Sequence, residues 1–159
     1  MLRLQTLFVL AALGSGTAAS ASPTTDFLDD AIKGDNSEVK LGRLAVEKGA
    51  SEKVRAYGKM LEADHGAHRE KLVAIARPLK LNIPDGMTAG ADVEYVKLKL
   101  LTGASFDKEF ASHMVKDHQE DIAKYEKEAA RGDSATAGLA KATIPTLRKH
   151  LEMAQKLTG

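Results

Sequence analysis

The stretch SEKVRAYGKMLEADHGAHREKLVAIARP, residues 51–78, carries the start and stop signals of one long helix. A serine hydroxyl at position 51 suits an N-cap, because it can accept from a backbone N–H of the first turn. Pro78 has no N–H to continue a helix and marks the end. Between them Val54, Tyr57, Leu61, Leu72 and Ile75 recur at helical spacing, so they line one face. The gap between Leu61 and Leu72 is filled by Asp64, His65 and His68. A core stripe broken at its middle by metal-ligating side chain types is the feature that the rest of the chain has to explain.

Three further segments show the same period. The first predicted helix runs from about Thr25, a plausible N-cap, to Lys48 before Gly49. The third runs from about Ser105 to Arg131, with a stripe of Phe106, Phe110, Met114, His118, Ile122 and Tyr125. The fourth starts near Asp133 or Ser134 and runs to Leu157; Pro145 falls inside it and predicts a kink or a broken turn. Between the second and third helices lies PLKLNIPDGMTAGAD, residues 78–92, rich in turn residues, then a short helix over about Val93–Leu101. The expectation is an all-α protein, a four-helix bundle whose long connection between helices two and three contains a short helix. About 25 residues can run the length of a bundle, so those two helices can lie parallel, a ferritin-like connection.

The first 21 residues are expected to be removed. Arg3, the apolar run Leu4–Leu13 and the small residues ending Ala19-Ser20-Ala21 have the layout of a secretory signal peptide. The apolar run falls short of the roughly 20 residues that span a bilayer. The reading is a signal peptide over 1–21 and a single domain over 22–159 that is soluble, periplasmic or secreted, with no stable membrane span after cleavage. Without Arg3 the chain has as many basic as acidic residues. With no basic block and few aromatic residues, nucleic-acid binding has little support. The chain has no cysteine, so disulfides and thiolate metal sites are excluded.

Projecting the polar residues onto the stripes brings one ligand type inward from each long helix. Glu38, three before Leu41 and seven before Ala45, lies on or beside the core face of helix one. His65 and His68, with Asp64, interrupt helix two; His118, with Asp117 at its edge, interrupts helix three; His150 sits between Leu147 and Ala154 on helix four. His113 reads as equally suited to the surface. Counted from the turn joining helices three and four, His150 lies about one turn farther out than His118, so the levels do not match fully. A buried imidazole or carboxylate without a partner costs several kcal/mol, roughly 2–7 for a polar group. Neutral imidazole with carboxylate suits Fe, Zn, Mn or Cu, and Asp beside His can hold the ring nitrogen that does not bind. The metal-ligand set expected is Glu38, Asp64, His65, His118 and His150, with Asp117 and His68 in support. Met60, Met114 and Met153 lie within about a turn of this set; thioethers favour Cu(I), though such methionines more often fill gaps in a core.

A carboxylate-bridged di-iron centre would need Glu-x-x-His on two helices. Glu62-Ala-Asp-His65 matches, but Leu147 precedes His150 by three and helix three offers Asp117 or Glu109, so that set is incomplete. No nucleophile triad, phosphate loop or glycosidase pair is present.

Three stretches, DFLDDAIKGDNSEVKLGRLAVEKGASEKVRAYGKMLEADH (26–65), FDKEFASHMVKDHQEDIAKYEKEA (106–129) and IPTLRKHLEMAQKL (144–157), carry a resemblance. Together they resemble the domain of unknown function 4142 family, ferritin-like exported bacterial proteins labelled as outer-membrane proteins. The ending reads Ile144-Pro145 where the family pattern has Leu-Pro. The resemblance implies an exported bundle with Glu38, Asp64, His65, Asp117, His118 and His150 on motif positions, and it implies no activity. Three readings follow: an exported binding protein for a metal ion, with a role in stress or envelope physiology; a structural or interaction module whose polar cluster fixes helix register; and a redox enzyme with a dinuclear site. The first is preferred, as a binding protein and not a catalyst.

Overall fold

The computed structural model describes residues 23–131 and 134–158; the expected signal peptide over 1–21 lies outside the described residues. These residues are all-helical: α1 Pro23–Lys48, α2 Glu52–Ala76, α3 Ala89–Leu100, α4 Gly103–Ala129 and α5 Ala135–Thr158, with a 3-10 turn at Arg77–Leu79. The Ser51 hydroxyl accepts from the Val54 N–H at 3.2 Å and caps α2 as expected. Thr25 does not cap α1. It lies inside a helix already under way at Pro23, and proline, with φ fixed near the helical value, is well placed in a first turn. The short helix α3 starts earlier than its apolar residues suggest, because the Thr88 hydroxyl caps it through Ala91 N–H. α5 is helical on both sides of Pro145, so of the two expectations the broken turn does not occur, although an interior proline costs a helix about 3 kcal/mol.

α1 and α2 form one antiparallel pair and α4 and α5 another. Across the pairs, Tyr57 meets Phe110, His65 meets His118 and His68 meets Tyr125, with ring centroids 6.1, 5.7 and 5.6 Å apart. The two sequences advance together through these pairs, so α2 and α4 run in the same direction. The connection between them is tied to α1. The Asn36 amide donates to Pro84 O at 3.1 Å and Gly86 O at 3.0 Å, and Thr88 N–H donates to the Ser37 hydroxyl. At the α1–α2 turn, the Asp107 carboxylate accepts from the Ala50 and Ser51 N–H groups, both at 2.8 Å.

The interior has two apolar halves. One contains Leu41, Leu61, Leu98, Phe106, Phe110 and Met114; the other contains Leu28, Ile32, Leu72, Tyr125, Ala140 and Leu147. Met60 and Met153 pack against the first half, so the three methionines fill the core. Between the halves lies a buried polar layer: Asp35, Glu38, His65, His68, His118 and His150.

That layer depends on how closely α1 and α2 approach. A Cβ on Gly42 would lie 2.6 Å from Gly58 O, and one on Gly58 would lie 2.5 Å from Gly42 O. Only hydrogen fits at this crossing, which sits one to two turns from Glu38 and His65. Gly42→Ala is expected to lower stability by about 1–3 kcal/mol through overpacking, despite the better helix propensity of alanine; a denaturant midpoint at or above that of the parent protein would contradict the close crossing.

Candidate metal centre

Each of the three inward histidines has one ring nitrogen held and one free. His65 Nδ1 lies 2.8 Å from Asp35 Oδ1. His118 Nδ1 lies 2.9 Å from the Met114 carbonyl, one turn back on its own helix. His150 Nε2 lies 2.9 Å from Asp64 Oδ2. A carbonyl or carboxylate oxygen accepts and does not donate, so the held nitrogen of each ring carries the proton. In the neutral ring the other nitrogen presents a lone pair. These are His65 Nε2, His118 Nε2 and His150 Nδ1, all buried and all without a hydrogen-bond partner.

The three rings form a near-equilateral triangle, with centroids 5.7, 5.3 and 5.4 Å apart. One ligand atom from each lies within 4.8 Å of the other two. The expected mismatch in level between His118 and His150 is absent for a geometric reason. Side chains tilt toward the N-terminus of their own helix, and α4 and α5 are antiparallel. His118 therefore leans away from the α4–α5 turn and His150 leans toward it, which closes the difference.

Glu38 is fully buried, and its carboxyl has the carboxyl of Asp117 within hydrogen-bonding reach. It forms a second group with Asp117 and His118, again with ligand atoms within 4.8 Å of one another. Burial, then the charge of Asp117, holds Glu38 well above the ordinary carboxylate range. The same two causes raise Asp121 to about 6. Burial, then the neighbouring rings of His65 and His150, pushes His118 down to about 3, and burial lowers His150 as well. The layer thus disfavours an uncompensated charge of either sign on its deepest members.

The structure separates the predicted residues into roles. Glu38, His65, His118 and His150 face inward from α1, α2, α4 and α5, and Asp117 stands beside Glu38. Asp64 is half-exposed, with 46 % of its side chain accessible, and its contact is with the outer nitrogen of His150. His68 is buried, but its Nδ1 lies 2.8 Å from Asp35 Oδ2, and it belongs to neither group. Glu62, the formal di-iron match, pairs with Arg43 at 2.7 Å on the outside. His113 is half-buried. Asp35 is the residue that sequence reasoning missed: one carboxylate, 3 % exposed, orients two imidazoles from α2. Its signal was available, since it lies three residues before Glu38 and three after Ile32, on the same face of α1.

Electrostatics of the metal-free layer can be tested through Glu38. A carboxyl whose folded pKa is raised contributes stability below its unfolded pKa of about 4.5 and loses it as pH rises through the folded value. Glu38→Gln mimics the protonated form. In chelator-treated protein, Glu38→Gln is expected to match the parent below about pH 4.5 and to be more stable above it, the difference growing by about 1.4 kcal/mol per pH unit up to the folded pKa. His118 has the opposite sign. Its depressed value favours the folded state above about pH 6.5, and this is lost as pH falls toward 3, so Glu38→Gln should itself weaken steadily over that window. Urea melts at several pH values measure both effects; a variant less stable than the parent at pH 8 would contradict the burial of a charged Glu38.

No curated protein and no solved structure matches the chain. A family model, described as Domain of unknown function (DUF4142), matches residues 11–157, including every residue of the buried layer. The chain therefore belongs to the DUF4142 family.

Proposed function

We propose that this protein is a metal-binding helical bundle that holds one divalent transition-metal ion between His65, His118 and His150. The observation that carries this reading is the convergence of three unpartnered imidazole lone pairs from three helices, each ring fixed by a different oxygen. Lone pairs facing one another across a buried space repel, and a cation removes the conflict. Imidazole nitrogens bind Zn(II) at about 2.0–2.1 Å, which puts tetrahedral nitrogens about 3.4 Å apart; the three ligand atoms lie within 4.8 Å of one another, so modest inward rotation of the rings completes the site. Held outer nitrogens are the usual way in which a protein orients metal-binding histidines.

Glu38 supplies the charge. Neutral histidines leave a divalent ion uncompensated in a buried layer, and a carboxylate beside His118 restores balance. Metal binding would then ionise Glu38. A single ion is favoured over a dinuclear oxidase centre because His118 has one free nitrogen for both groups, and a second ion at Glu38 and Asp117 would have carboxylates alone. Action as an exported binding protein and a ferritin-like arrangement belong to the same proposal; the parallel course of α2 and α4 supports the latter.

Protein purified without an affinity tag is expected to take up one Zn(II) or Co(II) per chain. At a thousandfold excess over Kd, an ion that binds the folded state alone stabilises it by about 4 kcal/mol. Asp35→Asn, which disturbs orientation only, should weaken binding about 10–100-fold, and His118→Ala should weaken it further. If Zn, Cu, Fe and Mn all leave the melting temperature unchanged, the protein is not a metal-binding one and the layer is a register-setting polar network.

A further inference from the structure

A cavity of about 270 Å³ runs from the first turns of α1 and the last turns of α4 inward to His65, His68 and His150. It is larger than the roughly 180 Å³ that six waters occupy at about 30 Å³ each, so a hydrated ion fits. Its wall carries six carboxylates, Asp26, Asp30, Asp35, Asp64, Asp121 and Glu128, against three cationic side chains. An acidic concavity with low-dielectric walls concentrates cations. Within it, His68 is 8 % exposed and its Nε2 has no partner. Asp35 accepts from the opposite nitrogen, so in the neutral ring Nε2 is the nitrogen left to bind a cation.

One position on the wall is kept empty. Asp26, Asp30 and Gly34 follow one another at four-residue steps along α1, about 6 Å each, and Glu38 is one step deeper. Gly34 lines the cavity, and a Cβ built there meets nothing within 4 Å. Its backbone φ is an ordinary helical one, so glycine is not required by conformation and costs the helix about 0.5–1 kcal/mol relative to alanine. A side chain at this position would project into the passage between the carboxylates and the histidines.

Resting on the metal reading above, we propose that this cavity is the entry path for the divalent cation, and that His68 is a transit ligand that passes the ion to the three-histidine centre. His68 and His65 share the Asp35 carboxylate, so the transit ligand and the first resident ligand are held in fixed relation. The ion sheds water progressively along such a path, with carboxylates at the rim, then one imidazole, then three.

A path residue alters arrival and departure equally and leaves affinity unchanged, whereas a resident ligand alters affinity. Co(II) binding, followed by visible absorbance in stopped flow, and its release into excess chelator distinguish the two. Gly34→Phe is expected to slow both rates by about tenfold or more, as for binding gated by a conformational change, with Kd within about twofold of the parent. Gly34→Ala, which leaves the passage open, should keep both rates and melt at or above the parent temperature, which separates blockage from damage to α1. His68→Phe, which keeps the ring against Tyr125, should slow both rates as well. Parent rates in Gly34→Phe would overturn the path while leaving the centre intact. Unequal changes in the two rates, with altered Kd, would make His68 a resident ligand. No Co(II) signal in the parent protein would overturn the metal reading itself, and the path with it.

Discussion

Three imidazoles point an unpartnered ring nitrogen into one buried space, and the remainder of the structure is arranged around that conflict. A polar group in a low-dielectric interior needs a partner or it weakens the fold. Here the outer nitrogens have partners and the inner ones do not. The neighbouring Glu38 is fully buried against Asp117. A nitrogen from each of α2, α4 and α5 and a carboxylate from α1 thus form a layer that favours an added cation. The apolar halves on either side supply the packing that keeps the helices around this layer in place.

Orientation of the rings draws on two carboxylates and one backbone carbonyl. Asp35 reaches from α1 to both histidines of α2, Met114 supplies a backbone carbonyl within α4, and Asp64 reaches from α2 to α5. Two of these three links cross between helices, so ring orientation and helix register are the same constraint. The crossing at Gly42 and Gly58 sets how near α1 lies to α2, and therefore whether Asp35 can span to His65 and His68. A small increase in that spacing would break both bonds together. Polar networks of this kind are most costly when partly satisfied, so an ion held there would stabilise the fold as well.

Much of this was legible in the sequence, and the remainder was not for physical reasons. The period of apolar residues gave the helices, and Ser51 and Pro78 gave the limits of α2 to within a residue or two. The interruption of each stripe pointed to His65, His118 and His150. Asp35 escaped notice because it sits in Gly34-Asp35-Asn36-Ser37, a polar run whose composition reads as solvent-facing; only its i, i+3 relation to Ile32 and Glu38 marks it as inward. Asp64 and His65, adjacent in sequence, are about 100° apart around a helix, so one faces the centre and the other can reach only its rim. The agreement in level of His118 and His150 depends on the opposite tilt of side chains in antiparallel helices, which residue counting ignores. The cavity depends on what α1, α2, α4 and α5 leave unfilled together, and no single segment encodes that.

X-ray absorption of Co(II)-loaded protein at one ion per chain tests the central claim most directly. The account predicts a first shell with three imidazole nitrogens, with the outer-ring scattering characteristic of histidine, and one or two oxygens. A shell of oxygens alone, or one with a single imidazole, would show that the three rings do not share an ion and would contradict the account.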